Sequence, residues 1–228
     1  PQTVTITAVD DTLIDGDLTY SIVTAAAVSA DTNYNGLNAT DVSITNVDTD
    51  TGSISVSPPL LGSEFRVNTT TANEQNHDLS TSRSIAVDGF GNYVVVWASQ
   101  GQDGSGWGVY AQRFNAAGVA QGGEILVNTT TAGDQSFPAV AMSSSGSFVV
   151  VWKGPDADQG GIYGQRFNAA GVAQGAEFQI NQTTANDQDN PNVAMDGVGN
   201  FIVMWSSYSA ATDWDVQARR YDAAGNAL

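Results

Sequence analysis

The sequence predicts an all-β protein: a small β-sandwich of the immunoglobulin-like kind, incomplete in this chain, followed by three four-stranded antiparallel blades of the propeller type. Three observations lead there. The segment Glu64-Phe65-Arg66-Val67-Asn68 returns as Glu124-Ile125-Leu126-Val127-Asn128 and as Glu177-Phe178-Gln179-Ile180-Asn181, and periods of roughly 50 to 60 residues mark stacked or radially arranged supersecondary units. Apolar runs are short and bounded by Gly, Asn and Asp, the punctuation of strands and tight turns. No segment sustains a period of 3.6, so helix should be almost absent.

Residues 1–57 form the first region. Val4/Ile6, Leu18/Tyr20/Ile22 and Val42/Ile44 alternate with Thr, Ser and Asp, as half-buried antiparallel strands do. Acidic and amide residues gather between them: Asp10, Asp11, Asp15 and Asp17, then Asp31, Asn33 and Asn35-Gly36, then Asn46, Asp48 and Asp50. Residues 58–62, inside the run Ser57-Pro58-Pro59-Leu60-Leu61-Gly62, are a linker.

Residues 63–228 hold three repeats, about 63–128, 129–181 and 182–228. Each opens with a first strand, in Ser84–Asp88, Pro138–Met142 and Pro191–Met195. A glycine turn leads to Tyr93-Val94-Val95-Val96-Trp97, Phe148-Val149-Val150-Val151-Trp152 and Phe201-Ile202-Val203-Met204-Trp205. Such continuous apolar character belongs to a strand covered on both faces. A polar loop precedes the third strand, Val109–Phe114, Ile162–Phe167 and Val216–Tyr221, which ends at the turns Asn115-Ala116-Ala117-Gly118, Asn168-Ala169-Ala170-Gly171 and Asp222-Ala223-Ala224-Gly225. The Glu-x-x-x-Asn segment then supplies a fourth strand, except in the last repeat, which lacks it, while residues 64–68 are a spare copy of it. Propeller rings use four to eight blades. Either further blades of a longer chain follow Leu228, the preferred reading, or neighbouring molecules supply the missing edges, since an open strand edge is a pairing template.

Composition narrows the function. The chain has 228 residues, 41% of them hydrophobic, enough for a packed core, and no cysteine. Its net charge is -17, from 24 acidic and 7 basic residues, and every acidic residue but Glu64, Glu74, Glu124 and Glu177 is aspartate. Such a field disfavours nucleic acid, and no apolar run is long enough for membrane insertion.

The repeat that joins Val-Ala-Met, Gly-x-Phe-Val-Val-Val-Trp, Tyr-x-Gln-Arg-Phe-Asn-Ala-Ala-Gly and Glu-Phe-x-Val-Asn over residues 62–228 resembles propeller-like repeats of large secreted bacterial surface and adhesin proteins. The first region, with Val9-Asp10-Asp11, Asp15-Gly16-Asp17-x-Thr19-Tyr20 and Asn46-Val47-Asp48-Thr49-Asp50, resembles the C-terminal part of a Calx-beta module. That resemblance implies calcium on acidic loops, with Asp10, Asp11, Asp15, Asp17, Asp48 and Asp50 as candidate ligands, because calcium takes six to eight hard oxygens. The bland alternative is a set of Asx turns without metal. An extracellular or cell-surface location follows from the same resemblance.

Catalytic chemistry has little footing. His77 lies in a polar loop without repeat equivalents, so triad hydrolysis and zinc are disfavoured. Asp103, Asp156/Asp158 and Asp213/Asp215 recur in loops before third strands, which points to turns or calcium rather than to a single active site. Trp97, Trp152 and Trp205 are expected to pack between blades. Trp107 and Trp214 stand at the polar loop, where aromatic faces could stack on sugars, or merely pack at the rim. Arg113 and Arg166, each eleven residues before Glu124 and Glu177, are expected to form cross-strand ion pairs, and the Asn-x-Thr motifs at Asn68, Asn128 and Asn181 to form strand-end turns.

The expected function is therefore a non-enzymatic, calcium-stabilised structural or adhesive component of a surface, matrix or filament assembly. Its partners would be copies of itself or further domains of a longer chain. The alternative is a lectin-like propeller that binds glycans.

Overall fold

A computed structural model describes Thr5, Thr7 and residues 17–47, 64–76 and 83–228. The chain divides into two units, Pro1–Ser63 and Glu64–Leu228. Among the described residues every regular element is a strand, as the absence of a 3.6 period requires.

In the first unit β1 (Leu18–Ile22) pairs antiparallel with β2 (Val42–Asn46), in register from Leu18↔Asn46 to Ile22↔Val42. The polar residues between them build turns. Asp31 accepts the Asn33 N–H at 2.9 Å through its Oδ1, and Gly36 takes φ 85°, where a Cβ would strain the backbone. The other sheet of the expected sandwich is not seen among the described residues, and Val4 and Ile6 lie outside them.

The second unit contains three antiparallel sheets. In the first, β3 (Gln75–Asn76) and β4 (Ile85–Val87) both pair with β5 (Tyr93–Gln100), which is followed by β6 (Trp107–Phe114) and β7 (Ile125–Leu126). The second has β8 (Ser136–Met142), β9 (Phe148–Gly154), β10 (Gly161–Phe167) and β11 (Phe178–Gln179) in sequential order. The third has only β12 (Gln188–Met195), β13 (Phe201–Ser209) and β14 (Asp213–Tyr221).

Consecutive sheets lie face to face, which is why the spine strands are apolar throughout. Val94, Val96, Val109 and Val127 of the first sheet meet Val140, Phe148, Val150 and Trp152 of the second. Val149, Val151, Ile162 and Ile180 on the other side of the second sheet meet Val193, Phe201, Val203 and Trp205 of the third. Within each sheet the start of the spine strand stacks on the end of the next strand: Tyr93 on Phe114, Phe148 on Phe167 and Phe201 on Tyr221, with ring centroids 5.0, 4.9 and 4.8 Å apart.

Strand pairing corrects the repeat alignment by one residue. Ile85 lies opposite Val95, whereas Val140 lies opposite Val150 and Val193 opposite Val203. Ile85 is thus the counterpart of Val140 and Val193. Ahead of these residues β8 and β12 each carry a bulge, before Ala139 and Asn192, with Phe137 and Asn190 at φ 54° and 53° preceding their prolines.

Candidate functional site

The most organised polar chemistry in the chain runs along the seams between sheets, and it begins with the Asn that ends each fourth-strand segment. Asn128 is buried; its Oδ1 accepts the Val109 N–H at 2.7 Å, and its Nδ2 donates to the Thr130 carbonyl at 3.0 Å and to Gln135 Oε1 at 3.1 Å. Asn181 does the same with the Ile162 N–H, the Thr183 carbonyl and Gln188. Asn68 donates to the Thr70 carbonyl and to Gln75 Oε1 at 3.0 Å. The Asn and Gln, seven residues apart, tie the end of one sheet to the first strand of the next. A buried amide so satisfied is stabilising, and costly to truncate.

A carboxylate closes each seam. Glu124 accepts the backbone N–H groups of Thr69 and Thr70, the Thr70 hydroxyl at 2.9 Å and Gln102 Nε2 at 2.7 Å. Burial pushes this carboxyl up, but the hydrogen bonds from Gln102, Thr70 and Thr69 outweigh it and hold it down at about 2. Glu177 accepts the N–H groups of Thr129 and Thr130 at 2.6 and 3.3 Å.

The expected ion pairs of Arg113 with Glu124 and Arg166 with Glu177 do not form. Arg113 Nη1 donates to the Ala170 carbonyl at 2.7 Å, and Arg166 Nη1 to the Ala223 carbonyl at 2.9 Å, both in the turn of the following sheet. Glu124 reaches back to residues 69–70 and Glu177 to residues 129–130 at the end of the first sheet, while each Arg reaches forward to the next sheet, so the two side chains leave their own sheet in opposite directions. The glycines of the receiving turns lie close under the arginines. A Cβ on Gly171 would stand 2.9 Å from Arg113 Cδ and from Ile125 Cδ1.

The outer face of the third sheet has no partner among the described residues. Val94, Val96, Val149 and Val151 are fully buried, whereas their counterparts Ile202 and Met204 are 41% and 47% exposed. Val216 is 71% exposed where Val109 and Ile162 are at 0%. Arg220, the counterpart of Arg113 and Arg166, is exposed, as are Gln182 and Thr183, whose N–H groups hold the place that Glu124 and Glu177 cover elsewhere. A cleft of about 310 Å³ opens on the other side of this sheet, at its seam with the second, lined by Ile180, Gln182, Thr183, Trp205, Gln217 and Arg219.

The opposite end of the stack mirrors this. Residues 64–68 form no strand, yet Phe65 meets Phe114 edge-on at 5.5 Å and 62°, as Phe178 of β11 meets Tyr221 at 5.6 Å and 60°. Val67 is only half-buried where Val127 and Ile180 are buried, and Ile85 and Val87 are exposed on the same side.

Of the candidate calcium ligands, Asp17 immediately precedes β1, and Asp10, Asp11, Asp15, Asp48 and Asp50 lie outside the described residues, as does His77. Among the described residues no three acidic or histidine side chains gather around a common point. Two of the recurring loop aspartates make turns, Asp103 accepting the Ser105 N–H at 3.1 Å and Asp156 the Asp158 N–H at 3.0 Å, whereas Asp213 and Asp215 lie within β14 and not in a loop before it. Trp107 is the first residue of β6, half-buried in a groove of about 290 Å³ with Asp134 and Phe137. Trp214 lies within β14, exposed and edge-on to Tyr208 at 5.4 Å. The two tryptophans hold the same repeat position in different sheets, so no single site unites them. The Asn–Gln clamp escaped the sequence reading; the recurrence of Gln75, Gln135 and Gln188 seven residues after each Asn is the signal that carries it.

No protein-family model and no curated protein sequence matches the chain. Among solved structures it is similar to an endo-arabinase from Bacteroides thetaiotaomicron, with a TM-score of 0.38 and 16% identity over 59% of this chain. The match spans 53% of that enzyme's length, about half, and a likeness of this degree carries no argument about activity.

Proposed function

We propose that this chain is a non-enzymatic structural or adhesive module of an extracellular or cell-surface assembly, in which calcium stabilises the acidic loops of the first region and sheets join through open faces and edges. The observation that carries the reading is the third sheet, which presents Ile202, Met204 and Val216 to solvent where the first two sheets bury the same positions. Exposed apolar sheet faces with unpaired edges mark interaction surfaces. The carboxyls at the turns also favour a structural role. The side chains of Asn200 and Asn226 hold Asp196 and Asp222 below the usual carboxylate range, and at Asp88 burial is outweighed by hydrogen bonds from Asn92 and neighbouring backbone. A general acid working near neutrality needs the opposite shift.

Two measurements test this reading. Immunogold labelling should place the protein at the cell surface or in the surrounding matrix; recovery only from the cell interior would remove the proposal. Calcium should raise the melting temperature of the full chain and a chelator reverse it, with Asp10, Asp11, Asp15, Asp17, Asp48 and Asp50 as the proposed ligands. Replacing Asp15 and Asp17 by asparagine should then lower calcium affinity by at least tenfold, since lost carboxylate charge weakens calcium sites.

Glycan binding is the second reading, favoured by the Trp107 groove beside Asp134 and by the exposed Trp214 with its Tyr208 neighbour. A glycan array should show hits that disappear in Trp107→Ala and Trp214→Ala.

A further inference from the structure

β14 keeps one face of the repeat and replaces the other. Val109, Ala111 and Arg113 of β6 recur as Ile162, Gly164 and Arg166 in β10 and as Val216, Ala218 and Arg220 in β14. The residues between them point to the opposite face, as alternate residues of a strand must. They are Gly108, Tyr110, Gln112 and Phe114 in β6, and the same four types, Gly161, Tyr163, Gln165 and Phe167, in β10. In β14 all four differ: Asp215, Gln217, Arg219 and Tyr221. This face packs on the second sheet, where Arg219 Nη1 donates to the Ile180 carbonyl at 2.9 Å and Tyr221 lies edge-on to Phe178. A departure with a period of two marks a changed contact surface, and both sides of this seam lie inside the chain.

The replaced residues line the cleft of about 310 Å³ at this seam. In the first two sheets the tyrosine lies opposite the tryptophan of the spine strand and stacks on it, Tyr110 on Trp97 and Tyr163 on Trp152, with ring centroids 6.4 Å apart in both. Trp205 stands opposite Gln217 instead, and the tyrosine ring is gone. The wall holds Trp205, Asp215, Gln217 and Arg219, with Gln182 and Asn186 across the seam. Gln182 departs from the repeat as well, standing where Thr69 and Thr129 do. The carboxylate is not new to this place. A Cβ on Gly108 would stand 2.7 Å from Asp103 Oδ2, and one on Gly161 3.0 Å from Asp156 Oδ2, so a loop aspartate fills the position there and Asp215 brings its own. The third sheet thus keeps the indole and the carboxylate, removes the tyrosine ring, and adds two amides and a guanidinium.

We propose that this cleft binds one neutral sugar ring, a hexopyranose. The indole supplies an apolar wall for the C–H face of the ring. Two side-chain amides, a carboxylate and a guanidinium supply the mixed donors and acceptors that adjacent hydroxyls need. Ligand pockets hold about 300–1,000 Å³, and a cleft at the lower end of that range takes a single small ligand. Asp215 and Arg219 share the wall, and the net charge of -17 repels anions, so the ring is an uncharged one. The wall is also fixed in advance: Asn181, behind Gln182, is clamped to Gln188 at 2.9 Å, and Arg219 is held by Ile180 and lies over the Tyr221 ring at 5.5 Å. Such preorganisation favours binding. A feature that recurs in every sheet serves the scaffold, whereas this one occurs once. The site is separate from the Trp107 groove and requires neither that groove nor self-association.

The test uses the full 228-residue chain, labelled with nitrogen-15, and the methyl glycosides of glucose, galactose, mannose and N-acetylglucosamine as probes. At least one of them should shift the Trp205 indole N–H and the Gln182 and Gln217 side-chain amide resonances, saturably and with one site per chain. Gln217→Tyr restores the residue that the other two sheets carry and puts a ring back against Trp205. It should weaken the binding by about tenfold or more, the loss of a hydrogen-bonding group together with the space it stood in, in a chain that circular dichroism shows to be folded. Arg219→Gln, likewise a return to the repeat, should do the same and keeps the test decisive if the tyrosine variant fails to fold. Silence from all four glycosides overturns the proposal, as does binding that the folded variants leave intact. Shifts confined to the Trp107 indole would place the sugar in the other groove, which overturns this site and leaves the glycan reading standing.

Discussion

Asn128 shows how much one side chain fixes. With its Oδ1 on the Val109 N–H and its Nδ2 shared by Thr130 and Gln135, it satisfies buried backbone on β6 and holds the start of the second sheet. Asn128→Ala leaves the Val109 N–H and Gln135 Oε1 without partners in the interior, so it should destabilise the chain by about 2–3 kcal/mol, read from the urea midpoint. Asn68→Ala, at the half-buried copy of the same position, should cost less than half as much; equal losses would show that burial is not what sets the cost. The sequence made this role partly legible, because Asn-x-Thr recurs at strand ends and turn residues of this kind serve backbone. Arg113 and Glu124 depart from the expected ion pair for an equally physical reason. Eleven residues across a tight turn put both on neighbouring strands of one sheet, and only the stacking of sheets reveals that they face different neighbours.

At the scale of the element, the seam is a set of fixed carboxylate caps on strand ends. Glu124 has its folded-state value depressed to about 2 from 4.5. A depressed carboxyl contributes stability that is fully present above its unfolded value and is lost as pH falls through the folded one. The seam between residues 69–70 and the first sheet should therefore weaken from about pH 4.5 down to about pH 2. Glu124→Gln should flatten part of that decline and lower the melting temperature near neutrality by about 2–4 °C, corresponding to about 1 kcal/mol; an unchanged acid limb in the variant would show that the capping carboxylate does not carry it. The strands that hold these caps were readable from sequence because the apolar spines are continuous and the glycine turns repeat. Trp152→Ala, at a spine position covered on both sides, should cost about 3–5 kcal/mol. The order of sheets was readable too. What pattern could not supply was the side of each sheet a residue faces, since Val94 and Val95 are equally apolar and only one of them meets the second sheet.

For the whole molecule, charge and apolar burial act in opposite directions. Each chain carries -17, so two copies repel at long range, while the face that the proposed self-association would bury carries the apolar side chains Ile202, Met204 and Val216. Salt screens the net repulsion, with a Debye length of about 8 Å at physiological ionic strength and about 3 Å at 1 M, and it leaves apolar burial intact or strengthens it when the salt is kosmotropic. The association should therefore tighten as sodium sulfate is raised, with the monomer fraction in sedimentation falling at constant protein concentration. An interface built on ion pairs would loosen under the same titration, and that result would count against self-association through the Ile202–Met204 face.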